Sequence, residues 1–271
     1  MPATPKTAKS ATVARAVKPV CAILLLLLAL PLPATTVVAL IDRFHHRAVV
    51  AADSLLVYRI ADKSTQTCKI VAKPDCTFAM AGLFYKEYPV FHLQELAEQA
   101  CALPGDLRHK ADAFLDVARE PLMAVAQYLP QNEPEFFAEL TNSNGGELIM
   151  VVFAGPDAGG ASIFARGYKL DTDGSITPVS LDVTESNNGG GFFGGANQQI
   201  AAYLKKHPNW GSEDKVKAAR KFVEMEIKAY PQWVGPPVSV LTINHLDQQK
   251  WVNPGVCTVP AAAQKGKKKK N

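Results

Sequence analysis

Five short runs rich in β-branched and small apolar residues follow one another near the start of the chain, and they constrain the fold more than any other feature. The polar segment at residues 42–47 predicts a hairpin turn between the first two runs, so we expect antiparallel pairing. His45 and His46 lie in that turn, where we expect exposed turn residues and not ligands. The five predicted strands are residues 37–41, 48–52, 55–60, 67–72 and 76–81.

After these runs the hydrophobic pattern changes period twice. Apolar residues recur at helical spacing in residues 88–102 and 107–129, which predicts two helices, the second kinked or split at Pro121. Strong turn signals then separate the strands of a predicted meander, which has four antiparallel strands. Two further helices precede a final strand. These later elements are predicted at residues 136–141, 147–153, 161–170 and 176–183 (strands), 197–206 and 212–230 (helices), and 238–243 with a short extra strand at 251–252.

This order of strands, two helices, strands, two helices and a strand predicts the α+β class. Helix pairs that are separated in sequence from antiparallel strands are typical of two sheets stacked face to face with helices outside. Neither an internal repeat nor a low-complexity linker divides the chain, so we predict one domain over residues 35–262.

The N-terminal segment differs in composition from the rest. Residues 1–34 hold four basic residues and no acidic one, with an apolar run at residues 20–30 followed by Pro31, Pro33 and Ala34. The run is short for a membrane span, and this order is typical of a signal peptide. We predict cleavage after Ala34 and export to the periplasm or the medium. The alternatives are an uncleaved membrane anchor and, less in keeping with the leucine block, an organelle transit peptide.

The C-terminal segment, residues 263–271, carries five lysines and is predicted to be a disordered tail. The formal net charge of the chain is +4, so the basic residues of both ends leave the part between them at about −5. The basic composition therefore gives no indication of a nucleic-acid surface, and we expect no nucleic-acid partner.

Four cysteines follow residue 34, and an even number in an exported chain predicts two disulfides. Cys68 and Cys76 flank a turn at residues 73–75, which favours a bridge between them, and Cys101–Cys257 then follows by elimination. Four buried thiols are the alternative. Neither Cys-x-x-Cys nor His-x-x-x-His spacing occurs in the chain, so we expect no metal ion and no cofactor.

A glycine-rich stretch at residues 185–195 precedes the predicted helix at residues 197–206. Such a loop can cradle a phosphate at a helix N-terminus. The Gly-Lys-Ser/Thr ending of a phosphate-binding loop is missing, however, so we predict a tight or mobile loop.

Cleavage after Ala34 would make Thr35 the first residue of the mature chain. A threonine hydroxyl is a poor nucleophile until a base takes its proton. An N-terminal threonine carries that base on its own backbone, because an α-amine with a pKa near 8 is partly neutral at pH 7. A lysine paired with a carboxylate would complete such a unit by lowering the pKa of groups beside it.

Four segments between residues 35 and 82 are similar to the opening of a proteasome β-subunit or a bacterial relative of one. They are Thr35-Thr36-Val37-Val38-Ala39, Ala51-Ala52-Asp53-Ser54, Thr67-Cys68-Lys69-Ile70 and Ala79-Met80-Ala81-Gly82. The similarity covers about fifty residues, and beyond them only the order of elements agrees.

This resemblance implies an N-terminal-nucleophile hydrolase with an αββα sandwich. It further implies Thr35 as the nucleophile, Asp53 and Lys69 as its assisting pair, and the N–H of Gly82 as the donor to an oxyanion. The family pattern would also place a serine in the turn at residues 194–196 and an aspartate and a serine near residues 230–237; here those positions read differently, and Ser186 is one candidate substitute.

Thr36 is the alternative first residue. The first hairpin is about two residues longer than in the family, and an even insertion preserves which face each side chain occupies. Counting from Thr36 would make the insertion odd, so the pattern favours Thr35.

Two functions follow as hypotheses. The first is an exported hydrolase that cleaves peptide or amide bonds through an acyl-enzyme on Thr35. The second is an inactive αββα binding or assembly protein, anchored to a membrane if the leader is retained. A homo-oligomer is compatible with either function.

Overall fold

The strands expected near the start of the chain belong to a mixed arrangement of strands and helices. The computed structural model describes residues 35–58, 63–142, 144–158, 160–185 and 190–258. The strands of this part are β1 (Thr36–Asp42), β2 (Arg47–Ala52), β3 (Leu55–Tyr58), β4 (Lys63–Gln66), β5 (Ile70–Lys73), β6 (Cys76–Gly82), β7 (Tyr85–Lys86), β8 (Phe91–His92), β9 (Glu147–Asp157), β10 (Gly160–Leu170), β11 (Ile176–Thr184), β12 (Gly191–Gly195), β13 (Ser239–Asn244) and β14 (Gln249–Asn253). The helices are α1 (Leu93–Ala102), α2 (Leu107–Asn132), α3 (Pro134–Asn142), α4 (Gln198–Lys206) and α5 (Lys215–Ala229).

Ten of these strands form two antiparallel sheets. The first sheet has the order β12-β1-β2-β13-β14, and the second has the order β11-β10-β9-β6-β5. The described residues therefore confirm an α+β chain with two large antiparallel sheets. The strands β3–β4 and β7–β8 form two separate small hairpins.

Both faces of β1 are buried, which explains its unbroken apolar sequence. Val37, Ala39 and Ile41 belong to a core shared with β9 and β10 of the second sheet. Val38 and Leu40 point the other way and pack with residues of α4 and α5. A third core lies between the second sheet and α1 and α2.

Two of the helices, α2 and α5, begin after an aspartate that caps them. Asp106 precedes α2 and its carboxylate accepts the N–H of His109, and Asp214 does the same for Lys217 at the start of α5. The last helix was expected to begin at residue 212, but Ser212 lies in a short 3-10 turn and the helix begins at Lys215. α2 runs continuously through Pro121, so the expected split at that residue does not occur.

The expected strand at residues 136–141 is wrong, because this segment is the helix α3. Pro134 stands at its first position, where a missing N–H costs nothing. Phe136, Phe137 and Leu140 lie at helical spacing and pack against the core of α1 and α2. The meander therefore has three strands, β9, β10 and β11, instead of four.

The prediction of a loop over the whole glycine-rich stretch is also wrong. Gly191–Gly195 forms β12, which pairs with β1 so that Thr36 lies opposite Gly195. β1 lies close to Gly191, since a Cβ there would approach Leu40 Cδ2 to within 2.3 Å and the carbonyl oxygen of Ala39 to within 3.0 Å. Residues 186–189, including Ser186, lie outside the described residues.

The two disulfides are confirmed, but the expected pairing is wrong. The bridges are Cys68–Cys257 and Cys76–Cys101. The β5–β6 register places Cys76 opposite Lys73, and Cys68 lies five residues further along, out of reach of its expected partner. Two bridges favour an oxidising, exported environment.

The predictions for the two ends concern residues 1–34 and 263–271, which lie outside the described residues. Within the part that the structure describes, helices both long enough and apolar enough to cross a membrane do not occur.

Candidate active site

Asp53 and Lys69 meet in the interior as a direct ion pair. Asp53 follows β2, and Lys69 immediately precedes β5, so the ends of two strands from different sheets supply the two charges. Their side chains are both 0% exposed, and Lys69 Nζ lies 2.8 Å from Asp53 Oδ1. The structure thus brings together two of the four predicted site residues, as the sequence spacing indicated.

The carboxylate of Asp53 is fully occupied by donors. Oδ1 accepts the backbone N–H of Thr36 at 2.9 Å in addition to the lysine. Oδ2 accepts the N–H groups of Leu55 at 3.0 Å and Gly235 at 3.1 Å. Four donors make burial of the charge tolerable and fix the carboxylate in one orientation.

Lys69 has a second oxygen partner and an aromatic neighbour. Its Nζ donates to the carbonyl of Leu55 at 2.5 Å and lies 5.9 Å from the centre of the Phe84 ring. Burial lowers the pKa of Lys69 below its ordinary value, and the charge of Asp53 opposes that shift. The amine is therefore a rigidly held group that gives up its proton more readily than a surface lysine.

Thr35 precedes β1 and is held by its carbonyl, which accepts the N–H of Ala196 at 3.0 Å. Thr36 is fully engaged instead: its N–H donates to Asp53, and its hydroxyl donates to the carbonyl of Ala196 at 2.9 Å. Both threonines are buried, at 5% and 0% exposure. Thr35 therefore directly precedes the residue whose N–H binds the ion pair. The Thr36 hydroxyl is held in a hydrogen bond to the backbone.

Gly82 ends β6 with φ +92°, a conformation that favours glycine. A Cβ at this position would lie 2.3 Å from the carbonyl oxygen of Leu148, so β9 passes too close for a side chain. The N–H of Leu83 donates to that same oxygen at 2.9 Å. The close strand approach alone accounts for a glycine here, and the donor role of its N–H stays a prediction.

The segment at residues 230–237 serves Asp53 through its backbone instead of through helper side chains. Gly235 donates its N–H to Asp53 and accepts the N–H of Ser54 at 3.0 Å. The hydroxyl of Ser54 donates to the carbonyl of Pro237 at 2.6 Å. Backbone roles of this kind leave no residue-type signal, which is why sequence reasoning missed Gly235.

Glu147 is a second residue that the sequence did not reveal. It begins β9, and its Oε1 accepts the N–H of Gly195 at 3.0 Å. Burial of the carboxyl raises the pKa of Glu147 to about 7, against smaller opposing effects of the Gly195 N–H and the Lys169 charge. Glu147 reaches the site because its partner Gly195 pairs with β1. A single acidic residue after a turn gives no sign of that pairing in the sequence.

Groups of three or more histidine, cysteine, aspartate or glutamate side chains suited to a metal ion do not occur in the described part of the chain. The chemistry that these residues offer is that of a buried lysine–carboxylate pair beside a threonine.

Comparison with known proteins adds no relative: models of known protein families do not match this chain, and neither do curated proteins.

Proposed function

We propose that this protein is an exported threonine-nucleophile hydrolase that cleaves peptide or amide bonds, with Thr35 as the nucleophile. The observation that carries the proposal is the buried Asp53–Lys69 pair, joined to the residue after Thr35 by the Thr36 N–H. Buried ion pairs are costly to assemble, and functional sites are where such strongly perturbed groups cluster.

The reaction needs a free α-amine on Thr35, which cleavage after Ala34 would provide. The amine takes the proton of the Thr35 hydroxyl as Oγ bonds to the substrate carbonyl carbon. The C–N bond then breaks, and the leaving amine departs with that proton. Water attacks the resulting ester, releases the acid and restores the hydroxyl, so the cycle needs no cofactor.

Lys69, Asp53 and Gly82 take supporting roles in this proposal. The charge of Lys69 favours the ionised form of the nearby hydroxyl, and Asp53 keeps the lysine charged and fixed. The N–H of Gly82 donates to the developing oxyanion. Leu55, whose carbonyl holds the lysine from the other side, limits its motion.

The arrangement of layers supports the same proposal. Core residues join the inner faces of the two sheets, α1 and α2 pack on the second sheet, and α4 and α5 pack on the first. We propose that this is the four-layer αββα sandwich of N-terminal-nucleophile hydrolases. Substrates in that case would be peptides or amides, and a homo-oligomer is compatible with the fold.

A second candidate is a binding or assembly protein that kept the fold and lost catalysis. Gly195 favours it, because the family pattern would place a helper serine in this turn and the close Thr35 carbonyl leaves no room for any side chain. Retention of residues 1–34 as an anchor would also keep the nitrogen of Thr35 in an amide.

Covalent labelling of protein from the native host separates the two candidates. We expect intact mass and N-terminal sequencing to show a chain starting at Thr35, and a threonine-directed electrophile to label it stoichiometrically. Thr35→Ala should abolish labelling, while Thr36→Ser, which keeps the hydroxyl that Ala196 accepts, should retain it. A chain that keeps residues 1–34 and takes no label would establish the binding candidate instead.

A further inference from the structure

Glu147 joins the two sheets beside Thr35, and the roles proposed above do not use it. It begins β9 in the second sheet, and its carboxylate accepts the N–H of Gly195 in β12, the edge strand of the first sheet. The residue is half-buried, and the contact is 3.0 Å long. This side chain is therefore a direct link between the sheets at the end where the candidate site lies.

The glycine that Glu147 holds lies against Thr35. Gly195 has φ +72°, and a Cβ there would fall 1.6 Å from the Thr35 carbonyl oxygen. The next residue, Ala196, donates its N–H to that oxygen and accepts the hydroxyl of Thr36. Any shift of Gly195 and Ala196 therefore moves the backbone of both threonines.

Among the residues that the structure describes, few charges face the Glu147 carboxyl. Lys169, its register partner on β10, is the charged side chain that acts on it. The adjoining strand Gly191–Gly195 holds only glycine and phenylalanine, and residues 80–82 at the end of β6 hold no titratable group. In the mature chain the α-amine of Thr35 would be a further titratable neighbour. Burial dominates this balance, so the carboxyl ionises near neutral pH.

We propose that Glu147 is a positioning residue that fixes Gly195 and Ala196 on Thr35 when ionised and loosens them when protonated. A carboxylate accepts a stronger hydrogen bond than a neutral carboxyl group does. The backbone around Thr35 is thus tightly held above neutral pH and less so below it. The effect on catalysis rests on the proposed hydrolase function, whereas the effect on the Gly195 amide does not.

Nuclear magnetic resonance on the mature protein tests the coupling without any substrate. We expect the amide signals of Gly195 and Ala196 to shift together with an apparent pKa near 7, and Glu147→Gln to abolish that step. Glu226→Gln is the matched control, because Glu226 is another acid whose pKa is raised by burial and which accepts a backbone N–H, from Ile200 at 2.8 Å. It should leave the step in place. Absence of the step in the unaltered protein, or its survival in Glu147→Gln, overturns the proposal.

The pH dependence of electrophile labelling then ties the coupling to Thr35. Two groups, Glu147 and the α-amine, must lose protons for full reactivity, so below about pH 7 the logarithm of the rate should rise more steeply than the slope of 1 that the amine alone gives. Glu147→Gln should reduce that slope to about 1, and an unchanged slope contradicts the proposal. Amide signals that titrate in a protein that takes no label would uphold the Glu147 contact and defeat the hydrolase function.

Discussion

The side chains of Lys69 and Asp53 are both shielded from water. Burial of these charges costs free energy, since each charge must be compensated inside the protein. Asp53 receives three backbone N–H groups besides the lysine, and Lys69 has a carbonyl as its second acceptor. Removal of one partner leaves the other charge buried with too few partners, so the pair should be sensitive to single substitutions.

Lys69→Met should lower the free energy of unfolding by about 3 kcal/mol or more, because the Asp53 carboxylate stays buried without its cation. Urea denaturation measures the change. Lys73→Met is the matched control, since Lys73 pairs with Glu98 at a similar 2.8 Å but both side chains are substantially exposed, at 43% and 34%. That control should cost less than about 1 kcal/mol. Equal losses in the two variants would argue against a buried pair.

Glu147 should make stability depend on pH in a direction opposite to that of most acids. Its folded-state pKa is about 7, above the ordinary 4.5, so the folded protein binds this proton more tightly than the unfolded chain does. The stabilisation is complete below about pH 4.5 and is lost as the pH rises through about 7.

The measurement is the free energy of unfolding of the unaltered protein and of Glu147→Gln at several pH values between about 5 and 8. The difference between the two should move in favour of the variant as pH rises, by up to about 3 kcal/mol. Parallel curves would show that the carboxyl of Glu147 is not shielded from water.

β12 is a strand whose glycines permit close approach to β1. Gly195 combines a positive φ with a position at which a Cβ would fall 1.6 Å from the Thr35 carbonyl oxygen. β12 therefore depends on residues that are poor strand formers in isolation, and its place in the sheet is set by its neighbour.

Gly195→Ala should destabilise the protein by more than about 2 kcal/mol and disturb the backbone of Thr35, because neither the strained backbone nor the close contact can relax cheaply. Gly211→Ala is the control, since a Cβ there would meet nothing within 4 Å. Thermal unfolding compares the two. A mild effect at Gly195 would mean that β12 lies further from β1 than described.

The sequence predicted two kinds of element well: helices with local capping groups and an apolar stripe, and strands that are apolar on both faces. The runs that became β1, β2 and β6 are apolar on both faces, and the capped helices α2 and α5 carry clear apolar stripes. The segment of α3 is predicted as a strand because its aromatic residues suit both states, whereas Pro134 at its start is typical of the first position of a helix.

The candidate site was predictable only in part for a related reason. The small residues around Asp53 and Lys69 have a characteristic spacing, and the pair indeed forms. Glu147, Gly195, Ala196 and Gly235 enter through long-range pairing of strands and loops, and most of them act through backbone atoms. A pattern of residue types does not record such contacts.

The two disulfides differ in the length of chain that they close. Cys68–Cys257 spans 189 positions and fixes the residue before Lys69, whereas Cys76–Cys101 spans 25 positions. Hairpin geometry favours Cys76 as the partner of Cys68, and only the fold shows that Cys257 takes that place.

The chain-entropy model predicts that Cys68→Ala/Cys257→Ala costs about 5 kcal/mol and Cys76→Ala/Cys101→Ala about 3.5 kcal/mol. Urea denaturation of the two double variants under the same conditions gives the comparison. The first variant should also slow electrophile labelling, because the segment that holds Lys69 is released from the C-terminal part. A larger loss from the shorter bridge would contradict the entropic ranking.

The pairing of β1 with β12 also has a consequence for when the surroundings of Thr35 can form. Thr36 is bonded to Ala196, 160 positions later in the chain. If the chain crosses a membrane from its N-terminus, β1 emerges long before β12. The edge of β1 that pairs with β12 then stays unpaired for most of the translocation. On the proposed function, the reactive hydroxyl would thus acquire its surroundings only when translocation is nearly over, which would spare the machinery that handles the nascent polypeptide.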